Sequence, residues 1–360
     1  MIHFFVGTKA QLIKIAPIMR SLQDRGIEYN YIQSGQHKDT MDDILDNFQL
    51  TRKPDVYLYS GDDITGVFQM GRWALGIMRK FGSGPELSRI FRGDRNGVVL
   101  NHGDTVSTLL GSLLARRQGL KSAHIESGLR SFNVFHPFPE EITRLLTFRL
   151  SDYFFAPGDW AMENLAGYAG IRVNTQHNTL YDSLSCTPNE SRSDGEKPFA
   201  VVSIHRFENI FSRKRLKFIV DCLLDSDDRV VKRFILHKPT RKKLLQFGLY
   251  QALEEHPGIE LHPRYDYFRF VSMLKNAEYL ISDGGSNQEE SFYLGLPCLL
   301  MRKATERNEG LGKNVVLSRY DRQLITDFIR DHERYRLPPL QLQERPTDII
   351  IRTLVDAGLA

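Results

Sequence analysis

At 360 residues, 41% hydrophobic and 26% charged, the chain is long enough for two domains of ordinary size and too apolar for intrinsic disorder. Its formal net charge of +4 is small and its basic residues are interspersed with acidic ones, so duplex nucleic acid is not an expected partner. Cys186, Cys222 and Cys298 are odd in number and far apart, which leaves neither a disulfide framework nor a zinc spacing and points to a reducing cytoplasm.

The N-terminal MIHFFVGTKAQL has no basic region before its short apolar run and reads as a first strand, not a signal peptide. Strand-like and helix-like runs then alternate: IHFFVG with QLIKIAPIMRSLQDRG, YNYIQSG with MDDILDNF, GVVLNHG with TVSTLLGSLLARRQG, then SAHIESG, and YFFAPG with WAMENLAGYAG. That order, with short glycine-containing loops, predicts a parallel sheet covered on both faces. Between Arg72 and Arg95, basic residues interleave with Trp73, Phe81 and Phe91. An amphipathic helix pair around the Gly82-Ser83-Gly84-Pro85 turn is the simpler reading there, and a phosphate-rich or membrane surface the other. No apolar segment approaches the roughly 20 residues that span a bilayer.

From about Val173 to Lys197 the sequence turns polar and turn-rich, which predicts an interdomain linker with a loop tip around Glu190 to Glu196. The alternation resumes with FAVVSIH, RFILHKP, GIELHP and AEYLISDGG, and a last helix starts at Pro346-Thr347-Asp348. The expected fold is therefore α/β, with two Rossmann-like doubly wound domains, 1–172 and 173–345, and a terminal helix over 346–360 packing back on the first. Such tandem domains bind ligand in the cleft outside the carboxyl ends of their strands.

The chemistry-bearing residues follow predicted strands. Thr8 and Lys9 come after the first, Gln36 and His37 after the second, and His102 to Asp104 after a third; His205 and Arg206, His237, and Asp283 to Gln288 do so in the other half. In ISDGGSNQEESFYLGLP, the Gly284-Gly285 turn before a helix start lets backbone amides approach a phosphate, with Glu289 and Glu290 expected in the first turn. A tight turn with capping glutamates explains the same residues. Lys9 and Lys14 flank a second strand-to-helix turn, where they neutralise a diphosphate or lie on an ordinary helix face. Glu140 and Arg144, four apart after Pro139, share a helix face and read first as an ion pair. Asp104 in HGDT and Glu126 in HIESGLR add carboxylates at strand ends, as proton-transfer chemistry requires. His102, His124, His205 and His237 match no metal-ligand spacing, so no metal is expected.

Together these segments resemble the UDP-N-acetylglucosamine 2-epimerase family over nearly the whole chain: GTKAQLIKIAP, HGDT, HIESGLRS, HPFPEEITR, IHRFEN, SDGGSNQEE and ATER stand in the family's order. The resemblance implies a glycosyltransferase-B-like fold and a UDP-sugar held in the interdomain cleft, the first domain carrying the sugar and the catalytic carboxylates and the second the UDP. The family chemistry is anti elimination of UDP, with loss of the C2 proton, to 2-acetamidoglucal, then re-addition with a proton delivered to the opposite face. It implies catalytic roles for Asp104, Glu126, Glu140 and His205. It implies substrate contacts for Lys9, Lys14, Arg144, Arg206, Gly284, Gly285, Ser286 and Arg307, ribose binding by Glu290 and uracil stacking by Phe270, with no cofactor and a homodimer.

Five departures stand out, one of them the LPPLQLQERPTD stretch before the last helix, where the family carries an NPYGDG-like one. Lys9 replaces an arginine, Gly284 the serine of the phosphate turn and Phe207 a second arginine, while Asp39 stands where glutamine is typical in the region around Gln36 and His37, which binds a second, activating UDP-sugar in non-hydrolysing members. The reading is a cytoplasmic enzyme interconverting UDP-GlcNAc and UDP-ManNAc for surface polysaccharide. Its rivals are a hydrolysing epimerase that releases ManNAc and UDP, a glycosyltransferase on the same fold, and a catalytically idle UDP-sugar-binding protein.

Overall fold

The computed structural model describes residues 1–36, 41–61, 64, 66–134, 138–189, 192, 195–305 and 307–360. His37, Asp39, most of the 190–196 tip, His136 and Pro137 of HPFPEEITR and Glu306 of ATER lie outside them. Two compact units emerge: Met1–Cys186 with Gln343–Ala360, and Thr187–Leu342.

The first unit runs β1 (Ile2–Val6), α1 (Lys9–Asp24), β2 (Tyr29–Gln33), α2 (Met41–Asn47), β3 (Val56–Tyr57), α3 (Val67–Phe81), α4 (Gly84–Ile90), β4 (Val98–His102) and α5 (Val106–Gln118). It continues with β5 (Lys121–Ile125), α6 (Glu140–Leu150), β6 (Tyr153–Ala156), α7 (Asp159–Asn164), β7 (Ile171–Asn174) and α8 (Leu180–Cys186). Its strands form one parallel sheet in the order β3-β2-β1-β4-β5-β6-β7. β1, β2 and β4 are buried along their whole length, as continuous apolar runs between two helical layers must be.

The second unit runs β8 (Phe199–Ser203), α9 (Phe207–Ile210), α10 (Arg213–Leu224), β9 (Val231–Leu236), α11 (Lys238–Gln246), α12 (Tyr250–Glu254), β10 (Ile259–Pro263) and α13 (Tyr267–Asn276). Then come β11 (Leu280–Ser282), α14 (Gly285–Leu294), β12 (Cys298–Leu300), β13 (Val315–Leu317) and α15 (Arg322–Arg330). This parallel sheet has the order β10-β9-β8-β11-β12-β13. One face is covered by a cluster built on Val202, Leu216, Ile219, Phe234 and Phe328, the other by one built on Val201, Ile235, Leu274 and Leu300. After this unit the chain returns to the first with α16 (Pro346–Asp356), which packs on α1 and α8.

One expectation needs correcting. The polar stretch after Val173 is not a linker throughout: it finishes β7 and forms α8, both in the first unit, and the units part at Cys186 and Thr187. Between Arg72 and Arg95 the helix pair forms, and Trp73, Phe81 and Phe91 are buried beneath it with Ile77, Leu87 and Leu114, not displayed to a ligand.

The sheet orders locate the candidate site. In the first sheet the winding reverses between β1 and β4, which pair in parallel, and in the second between β8 and β11. Loops leaving adjacent strands at such a reversal run to opposite faces and leave a crevice beyond the carboxyl ends. The turns β1–α1, β4–α5, β8–α9 and β11–α14 border these two crevices, and they carry most of the residues singled out in the sequence.

Candidate active site

In the first unit, Thr8 caps α1 by accepting from the Gln11 amide at 3.3 Å, while the Gln11 side chain accepts from the Gly7 and Thr8 amides at 2.9 and 3.1 Å. The amide nitrogen of Gln11 also reaches the His102 carbonyl at 2.7 Å and the Thr105 and Thr108 hydroxyls at 2.9 Å. A single buried glutamine thus pins the β1–α1 turn to the β4–α5 turn. One turn further along α1, Lys14 Nζ donates to Glu126 Oε1 at 2.8 Å, with both side chains only 7% exposed. His102 Nε2 lies 3.6 Å from the other Glu126 oxygen.

Glu126 follows β5 with φ of +62°, a left-handed backbone that costs a side-chain-bearing residue about 1–2 kcal/mol. Strain of this kind is retained where it aims a functional group. Gly103 beside it also has positive φ, +69°, and a methyl there would stand 3.5 Å from Glu126 Oε2. His124 is wholly buried, with Nε2 2.7 Å from the Gly103 carbonyl and Nδ1 3.0 Å from the Ser127 hydroxyl. Burial depresses its pKa to about 4, outweighing the Gly103 bond, so it is a neutral strut.

Asp104, at the β4–α5 turn, accepts from the Arg144 guanidinium, and its carbonyl accepts from the Thr143 hydroxyl. Arg144 Nη1 also lies 3.3 Å from Glu141, so the guanidinium serves Asp104 and Glu141; the expected pairing was with Glu140. Burial works against the Arg144 charge, but Asp104 and Glu141 outweigh it and raise the pKa. Glu141, fully buried, also accepts from Arg130 Nε and the Ser131 amide. Its burial would raise the carboxyl pKa, yet the Ser131 amide and Arg130 hold it below the ordinary value. Glu140 opens α6, half-buried. Lys9 sits half-buried in the first turn of α1.

In the second unit, Asp283 lies fully buried after β11 and accepts from the His205 and Arg206 amides, each at 3.0 Å, and from Asn209 Nδ2 at 2.9 Å. Asn209 in turn donates to the Met301 carbonyl at 3.0 Å and accepts from the Tyr320 hydroxyl at 2.7 Å. His205 Nδ1 stands 3.5 Å from Asp283 Oδ1, and its ring lies 4.7 Å, centroid to centroid, from that of His237. Burial lowers the His205 pKa, against the pull of Asp283.

Helix α14 begins at Gly285 with Gly284 as its cap, so the amides of its first turn, which no helical carbonyl can satisfy, face the crevice side beside exposed Ser286. Gly284 is explained by space: a methyl there would lie 2.7 Å from Asn287 Oδ1 and 3.0 Å from His205 Cε1. Asn287 accepts from the Ser282 hydroxyl at 2.8 Å and donates to Glu290 at 2.8 Å. Glu289 and Glu290, expected in the first turn, lie beyond it, because the helix starts two residues before Asn287. Both are buried, and Glu289 pairs with Arg307 at 3.0 Å. Phe270, on α13, is half-buried against the Val201 and Leu274 cluster.

Within the units, therefore, Lys14, His102 and Glu126 form one group, Asp104, Glu141 and Arg144 a second, and His205, Arg206 and Asp283 with Asn209 a third. Gln11, Glu141 and Asn209 carry structural weight that sequence reasoning missed, and Asp283, noted only for its place after a strand, holds the β8–α9 turn. The pairing of Glu141 with Glu140 in EE and the position of Asp283 just after a strand were the available signals. Among the described residues no three His, Cys, Asp or Glu side chains converge as a metal set.

Comparison with known proteins agrees with this geometry. A family model described as UDP-N-acetylglucosamine 2-epimerase matches residues 20–338. The chain is 30% identical over 342 residues to a UDP-N-acetylglucosamine 2-epimerase of Methanocaldococcus jannaschii, covering 90% of each. It is 31% identical over 329 residues to one from Methanococcus maripaludis, covering 87% of this chain and 86% of that one. A crystal structure of the M. jannaschii enzyme in complex with UDP-GlcNAc and UDP superposes with a TM-score of 0.79, 26% identity and 99% coverage of both chains. The two parallel sheets are those of the glycosyltransferase-B-like fold, and the chain belongs to the UDP-N-acetylglucosamine 2-epimerase family, whose members are enzymes.

Proposed function

We propose that this protein interconverts UDP-GlcNAc and UDP-ManNAc by inverting the configuration at C2 of the sugar. The carrying observation is the pair of carboxylates at the ends of β4 and β5 in the first sheet, Glu126 beside Lys14 at 2.8 Å and Asp104 beside Arg144. Elimination requires a base for the C2 proton while the C1–O bond to phosphate breaks. Re-addition requires a proton delivered from the opposite face. Two carboxylates on adjacent strand ends meet both needs, each next to a cation that balances charge as UDP departs.

The nucleotide end of the substrate belongs to the second unit. The first-turn amides of α14, with Gly284, Gly285 and Ser286, suit a diphosphate. Glu290 suits the ribose hydroxyls, Phe270 the uracil, and His205, Arg206 and Arg307 the phosphate charges, while Lys9 is a substrate contact on the family match. Glu140 stands with the catalytic carboxylates on the family match. The IHRFEN, SDGGSNQEE and ATER blocks favour the non-hydrolysing outcome, and family membership supports a cytoplasmic homodimer serving surface polysaccharide synthesis.

Proton NMR of an incubation with UDP-GlcNAc tests this reading. UDP-ManNAc is the expected product. Free ManNAc with UDP would replace the reading by the hydrolytic one, and unchanged substrate would remove both.

A further inference from the structure

We propose that Asp283 is a positioning residue that sets the tautomer of His205, so that nucleotide-sugar binding loads one proton onto His205 Nε2. This deepens the proposed function and rests on it for the identity of the ligand. Asp283 has no exposure to solvent and is built into the turn by three donors. Two of them, the Arg206 amide and Asn209 Nδ2, reach Oδ2, and the third, the His205 amide, reaches Oδ1, which also faces His205 Nδ1 at 3.5 Å. Nδ1 is buried, and among the described residues no hydrogen-bond partner lies within ordinary range. A ring nitrogen shut from solvent and facing a carboxylate carries the proton, because its lone pair there would face two more. Nε2 then holds the lone pair in the neutral ring.

The neighbours fix the resting charge. Facing His205 are Asp283 beyond β11, Arg206 and Glu208 at α9, His237 beyond β9 and Arg264 beyond β10. Burial and the two arginines keep the ring neutral at pH 7.5, against the two carboxylates. A diphosphate arriving at α14 adds negative charge beside Nε2. One proton then passes from solvent to Nε2; the imidazolium donates Nε2–H to a phosphate oxygen and Nδ1–H to Asp283, and no other bond changes. The same proton is in place to stabilise UDP as it leaves.

Two measurements on the full chain test this. First, nitrogen-proton correlation NMR, with His205 assigned by its loss in His205→Gln, should find the neutral ring protonated at Nδ1, and protonated at Nε2 in Asp283→Asn. An Nε2–H tautomer in the unmodified protein overturns the proposal, and this arm needs neither turnover nor a foldable variant. Second, calorimetry with UDP-glucose, whose phosphates do not titrate near neutrality, in two buffers of different ionisation heat should register uptake approaching one proton at pH 7.5, abolished in His205→Gln. Binding without proton uptake overturns the proposal. Failure of UDP-glucose to bind at all overturns the assigned ligand instead, while the tautomer result still decides the role of Asp283. Asp283→Asn should lower kcat by about 10–100-fold with KM changed far less; a KM effect alone would mark Asp283 as structural.

Discussion

The ion pair between Lys14 and Glu126 yields the sharpest energetic prediction. Both side chains are 7% exposed and 2.8 Å apart, so each charge has exchanged most of its water for the other. Replacing Lys14 by Met removes the ammonium and leaves a buried carboxylate, which costs about 3–5 kcal/mol. Glu126→Gln keeps an oxygen for Lys14 Nζ, so it costs less, about 1–3 kcal/mol. In the double variant the penalty of the uncompensated charge disappears, and its cost falls short of the sum of the two single costs by about 1–3 kcal/mol. Trp73 and Trp160 both lie in the first unit, so tryptophan fluorescence during urea unfolding follows that unit selectively. Additivity within about 0.3 kcal/mol would refute the argument, since independent sites add to that tolerance.

Three further outcomes follow from other groups. Asp182, 2% exposed, accepts from the Thr347 amide at 2.8 Å, and burial lifts its pKa to about 6, above the ordinary 3.8. Because the folded value is raised, its contribution to stability is full below the ordinary value and is lost as pH rises through about 6, a loss of ~3 kcal/mol. Asp182→Asn should therefore raise the melting temperature at pH 8 and have little effect at pH 4; destabilisation at pH 8 would count against this. His124 titrates in the opposite sense: its depressed pKa makes stability full above about 6.5 and lost as pH falls toward 4, again by ~3 kcal/mol, so His124→Gln should flatten that acid limb in thermal melts. Glu141→Gln loosens Arg144, which it helps to hold beside Asp104, and Arg130, and should reduce turnover about 10-fold; normal turnover would show that Asp104 and Arg144 need no such support.

Much of the architecture was legible because both sheets are parallel and covered on both faces, which turns each central strand into a short apolar run. What stayed hidden had physical reasons. β7 is an edge strand whose Ile171 and Arg172 are exposed, so it lacks the apolar signal, and α8 buries polar residues. Asp182 and Ser183 find partners in the Thr347 amide and the Ile13 carbonyl, far away in sequence. The strand-end carboxylates Asp104 and Glu126 were visible as such, but their cation partners were only half visible. Arg144 sits four residues from Glu140 yet reaches across to Asp104, which is 40 residues away. Gln11 escaped notice, and Asp283 was noted without its role, because a buried amide or carboxylate has meaning only once the turns it ties together are known.

The central claim is that the carboxylates beside Lys14 and Arg144 move a proton at C2 of a UDP-sugar. Incubation with UDP-GlcNAc in deuterated water, read by proton NMR at the sugar C2, tests it most directly. The account predicts deuterium at C2 in both epimers, with exchange abolished by Glu126→Gln and by Asp104→Asn while UDP binding changes by less than about threefold. Normal exchange in either variant would contradict the role of that carboxylate, and epimerisation without deuterium uptake would contradict the mechanism itself.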